Sequence, residues 1–69
     1  MQHKNYSLTA YADTGFPKFM EGYRTLQHVR RTAHDLINDG YREIEIKLEN
    51  TNQIGYFGAI RELIETIRA

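Results

Sequence analysis

The chain has no cysteine. Disulfides and thiolate-bound zinc are therefore excluded, and both are common supports for a protein of only 69 residues. A chain this short buries about 60% of the surface its unfolded form exposes, so its core is small. Stability must come from well-packed elements or from self-association. Net charge is absent too: nine basic and nine acidic residues cancel. A nucleic-acid-binding domain usually carries a basic excess, so the balance counts against that class. No apolar run approaches the roughly 18 residues of a membrane span. The opening "MQHKNYSLTAYA" lacks the apolar core of a signal peptide. These absences, with cysteine-free composition, lead to the expectation of a soluble cytoplasmic protein that begins at its own Met1, with no membrane partner. No internal repeat, linker or low-complexity segment is visible, so residues 1–69 are expected to form a single domain.

What is present is ordinary for a globular fold: 41% hydrophobic and 26% charged residues. In "NYSLTAYA", residues 5–12, Tyr6, Leu8, Ala10 and Ala12 alternate with Ser7, Thr9 and Tyr11. Period two with β-formers predicts a strand. "DTGFP" has turn chemistry, and "KFMEGY" (18–23) predicts a returning strand. Pro17 and Gly22 mark that strand as an edge or the site of a bulge. Thr25 suits a helix N-cap. From Leu26 to Asp39 the residues Leu26, Val29, Ala33, Leu36 and Ile37 share an arc of roughly 100°, the pattern of an amphipathic helix. Gly40 stands where a left-handed C-cap belongs. "YREIEIKLE" (41–49) is the strongest strand signal. Ile44, Ile46 and Leu48 would face a core, and Glu43, Glu45, Lys47 and Glu49 would face water. "NTNQ" (50–53) reads as a turn and "IGYF" as a short strand or an irregular lead-in. From Ala59 onward Ile60, Leu63, Ile64 and Ile67 again share an arc of about 100°, predicting a second helix with Arg61 and Glu65 paired on its polar side.

The predicted order is ββαβ(β)α. It implies an α+β domain, a small, mostly antiparallel sheet of three or four strands with two helices packed on one face. The connection through the first helix could pair residues 18–23 with 41–49 in parallel.

Few residues suggest chemistry. Gly55-Tyr56-Phe57-Gly58 has the G-x-x-G spacing of a KH phosphate-clamping loop, but turn-formers precede it and bulky aromatics occupy its middle. Tyr56 and Phe57 are better read as packing at a sheet–helix junction. Arg24, His28, Arg31 and Asp35 lie within roughly 60° of each other around the first helix, with Arg30 and His34 to one side. Such a face suits contact with phosphates or an acidic protein, or simply with solvent. His28 and His34 are about 240° apart on the helix, so their spacing makes no metal site. Ser7 has no neighbouring base, and the outward carboxylates of residues 43–49 have no reason for the raised pKa that a general acid needs. No catalytic residue, metal ligand or cofactor is therefore assigned, and the expectation is no enzyme.

The functional expectation is a small non-catalytic protein-binding module, a regulator or inhibitor of a partner protein. Short free-standing reading frames of that kind are frequent in phages and mobile elements. Eight aromatics, five Tyr and three Phe, exceed what so small a core absorbs. Some tyrosines should therefore reach the surface, where they favour contacts. Candidate partner-binding residues are Arg24, His28, Arg30, Arg31, Tyr11 and Tyr56. The alternative is nucleic-acid binding through the basic helix face. Homodimerisation, through an edge such as residues 18–23, would serve either reading.

Overall fold

The computed structural model describes residues 5–50 and 60–69. It contains β1 (Asn5–Tyr11), β2 (Lys18–Tyr23), α1 (Leu26–Asn38), β3 (Glu43–Asn50) and β4 (Ile60–Arg68). The strands form one four-stranded sheet in the order β2-β1-β3-β4. Every neighbouring pair is antiparallel.

The first helix forms as its sequence dictates. The Thr25 hydroxyl accepts a hydrogen bond from the His28 amide at 3.1 Å, satisfying one of the free N–H groups of the first turn. At the other end the Gly40 amide donates to the Ile37 carbonyl and the Tyr41 amide to the Leu36 carbonyl, both at 3.1 Å. This closure needs a positive φ at the residue after the cap. Gly40 supplies it at φ 114°. Val29, Ala33 and Leu36 are the buried residues of the helix. They meet Tyr6, Leu8, Ala10, Tyr23, Ile44 and Ile46 in one cluster. Leu8, Ala10, Ile44 and Ile46 are fully inaccessible, because β1 and β3 are the inner strands and lie under the helix.

Three expectations are corrected. The stretch from Ile60 to Arg68 is a nine-residue strand, not a second helix, so the sheet carries one helix among the described residues. Its apolar spacing misleads because Ile64 is a bulge. Ile46 faces Glu65 while Lys47 faces Leu63, leaving Ile64 as the extra residue. Ile64, Thr66 and Ile67 are β-branched, which favours extended backbone. Pairing the segment with β3 also saturates a backbone edge that a helix would have left open. The expected polar-side pair of Arg61 and Glu65 does not form: Arg61 contacts Glu49 and Glu21, and Glu65 contacts Arg30. The second correction concerns the crossover. β2 and β3 both run opposite to β1 and so run in the same direction, but β1 lies between them and they do not pair. The third is that the outer side of β3 is not uniformly wet: Glu49 is only 6% exposed.

β2 is an outer strand with a bulge, as Gly22 suggested. Tyr6 faces Tyr23 and Ser7 faces Glu21, so Gly22 is the extra residue, at φ 94°. The expected turn at 50–53 is displaced in part, since Asn50 still belongs to β3. Residues 51–53, the "IGYF" segment and Tyr56, Phe57, Gly55 and Gly58 lie outside the described residues.

One helix is about 10 Å across, whereas four strands about 4.8 Å apart make a wider layer. The outer strands therefore extend past the helix. This explains why β4 carries carboxylates on its helix side: Glu65 sits at the helix flank and accepts from Arg30 Nε at 2.7 Å.

Candidate interaction surfaces

The sheet has two sides with different chemistry. Alternation places Asn5, Ser7, Thr9 and Tyr11 of β1 on the side away from the helix. Register then fixes their neighbours. Ser7 stands between Glu21 and Lys47, and Thr9 between Phe19 and Glu45. Tyr11 faces Glu43, and Asn5 faces Glu49. On β4, Arg61 faces Glu49, Leu63 faces Lys47, Thr66 faces Glu45 and Arg68 faces Glu43.

The carboxylates of β3 on this face are each held by a neighbour. Glu43 accepts from Arg68 Nε at 2.9 Å, and Glu45 accepts from the Tyr11 hydroxyl at 2.8 Å. Glu49 accepts from Arg61 Nε and Asn5 Nδ2, both at 2.8 Å. The bond to Glu45 raises the Tyr11 phenol above its ordinary 10.0, with smaller contributions from burial and from the charges of Glu45 and Glu43. Among these paired charges stand two large apolar side chains, Phe19 at 48% and Leu63 at 52% exposure. The Arg61 guanidinium lies 5.2 Å from the Phe19 ring centroid. At the margins, Phe16 in the β1–β2 connection is 97% exposed and Ile64 at the bulge 40%.

The helix side carries the basic residues singled out in the sequence. Arg24, His28, Arg30 and Arg31 are all exposed. Thr25, Gln27, His28 and Arg31 line a shallow cleft of about 220 Å³ at the start of the helix. The His28 ring packs edge-on against Tyr23, with centroids 5.0 Å apart and planes at 89°. Arg30 points instead to the β4 flank, where it is bound to Glu65.

The candidate residues therefore do not form one site. Arg24, His28 and Arg31 are at one end of the helix layer, and Arg30 is engaged beside it. Tyr11 lies on the opposite side of the sheet, and Tyr56 is outside the described residues. Phe19, Leu63 and Arg61 escaped the sequence reading. Phe19 had a signal, since in "KFMEGY" it alternates with Met20, which packs on the core. Leu63 and Arg61 had none, because helical spacing puts Leu63 in the core and pairs Arg61 with Glu65. Among the described residues no group of three or more His, Cys, Asp or Glu could hold a metal ion, and no helix is long and apolar enough to cross a membrane.

The chain matches no protein-family model, no curated protein and no solved structure.

Proposed function

We propose that this chain is a non-catalytic protein-binding module, a regulator or inhibitor that docks its partner on the side of the sheet away from α1, where no other described element packs. The carrying observation is the half-exposed pair Phe19 and Leu63 inside a frame of ion pairs. An apolar centre with a polar rim is the usual anatomy of a protein interface. The described residues of this face carry three basic groups (Lys47, Arg61, Arg68) and four acidic ones (Glu21, Glu43, Glu45, Glu49), close to balance. A polyanion gains little from such a surface, because its affinity comes from phosphate neutralisation. The partner that fits is a folded protein with an apolar patch rimmed by both signs of charge.

The test is capture from a lysate of the expressing cell with three forms of the protein. Wild type and the Arg24→Ala/Arg31→Ala variant should retain the same partner, and the Phe19→Ala/Leu63→Ala variant should lose it. Retention by the last variant would remove this reading. Light scattering at twice the 8.1 kDa chain mass, lost in the same variant, would make a second copy the occupant.

The cleft beside His28 and Arg31 supports a second reading, nucleic-acid contact through Arg24, His28 and Arg31, with Arg30 already committed to Glu65. A retardation assay at low salt decides it: absence of a shift removes phosphate binding.

A further inference from the structure

Ser7 presents a contradiction. Its side chain belongs to the face away from α1, yet the residue is 0% exposed. Its hydroxyl has no hydrogen-bond partner among the described residues. Buried hydroxyls nearly always find one, so an orphan calls for an explanation.

The residues around it supply one. Arg61 starts on β4, at one margin of the sheet. Its Nε is bound to Glu49 on β3 at 2.8 Å, and its Nη2 is 3.8 Å from Glu21 on β2, at the other margin. The same guanidinium stacks over Phe19, also on β2. β1 lies between β3 and β2, and Ser7 is the β1 residue directly opposite Glu21. Glu49 stands opposite Asn5 and Glu21 opposite Ser7, so a side chain joining the two carboxylates runs diagonally over β1 between Asn5 and Ser7. In a flat sheet β4 and β2 would stand about 14 Å apart, three strand spacings. Bulges increase local twist, which shortens the diagonal between these strands. Gly22 and Ile64, the extra residues, adjoin Glu21 and Leu63, the two ends of the row through Ser7 and Lys47.

We infer that Arg61 is a strap across the face away from α1, anchored on Glu49 and releasable from Glu21 and Phe19, and that its release opens the Ser7 hydroxyl to a hydrogen-bonding group of a partner. The two ends differ in strength. The Glu49 side chain is 7% exposed and its contact is short. Glu21 is 55% exposed and its contact is long, so salt screens it. Arg61 therefore swings on its Glu49 end. The identity of the incoming group rests on the protein-binding reading; the strap itself does not.

The test uses the free protein, so its failure is separate from failure of partner capture. Side-chain proton resonances of Ser7 and Phe19 are followed by NMR with a soluble nitroxide. Low salt is compared with about 1 M salt, where screening acts within about 3 Å. Glu21→Gln is the matched variant, at a position exposed enough to leave folding intact. The expected result is that high salt and Glu21→Gln shift Phe19 and increase nitroxide broadening at Ser7, while Val29 and Ile46 in the core stay fixed. The Arg61 Nε proton should keep its slow exchange, because Glu49 still holds it. Unchanged Ser7 and Phe19 signals overturn the strap. Equal movement in the core also overturns it, since that reports general loosening.

Discussion

The strand assignment of residues 60–68 can be tested through the cost of truncating Leu63. If this segment were a helix, Leu63 would sit in the middle of its apolar stripe, and Leu→Ala there would cost about 2–5 kcal/mol as a core cavity. In the strand, Leu63 faces away from the helix and is 52% exposed. Full burial of a leucine side chain contributes about 1.5–3 kcal/mol, so the half that is covered contributes about 1 kcal/mol. Ile46 provides the internal standard. It is 0% exposed under the helix, and Ile46→Val, which removes one methyl, should cost about 1 kcal/mol. The two variants should therefore be nearly equal, although Leu63→Ala deletes far more hydrocarbon. Urea unfolding followed by circular dichroism measures both. With a slope near 1 kcal/mol per molar for so small a domain, each midpoint should fall by about 1 M. A Leu63→Ala loss of about 3 kcal/mol or more would place Leu63 in the core and refute the register of β4 with β3.

Other expectations concern the caps, the ion pairs and the phenol. Thr25→Ala removes the acceptor of the His28 amide and should cost about 1 kcal/mol in thermal or urea unfolding. Gly40→Ala forces a Cβ onto φ 114° and should cost about 1–2 kcal/mol, all of it from strain against the adjacent backbone, because no other part of the described fold lies within 4 Å of the added atom. Arg30→Ala removes the bond to Glu65, but both side chains are partly exposed, so a double-mutant cycle with Glu65→Ala should give a coupling under about 1 kcal/mol that shrinks with salt. Ultraviolet titration should find the Tyr11 phenol above 10.0, and Glu45→Gln should bring it back down by removing the acceptor. The sign follows from linkage. Folding favours the neutral phenol, so this contribution is intact below pH 10.0 and is lost as pH rises through the raised folded value.

Local signals in the sequence were read correctly where one short segment contains the whole cause. Thr25 caps and Gly40 ends the helix because both acts involve neighbours a few residues away. The alternation of β1 and β3 found the inner face because a strand's faces depend only on parity. Gly22 announced a bulge because no other residue type adopts its φ easily. The candidate surface was less legible. Tyr11 was identified as a surface residue, and it is half-buried and tied to Glu45. The helix arginines were identified, but not that Arg30 would be taken up by a carboxylate 35 positions away.

The amino-acid order alone determined the capped helix, the hairpin and the apolar side of the two inner strands, since each rests on interactions within a few residues. The tertiary structure decided the rest. Residues 60–68 carry a pattern that suits a helix or a bulged strand, and the free edge of β3 selected the strand by offering partners for its backbone. The same choice carried Arg61 to Glu49 and Glu21, and so decided which face of the sheet became a surface with Phe19 and Leu63 at its centre. Contacts between residues tens of positions apart have no local signature, because loop closure brings them together only after the strands have found their neighbours.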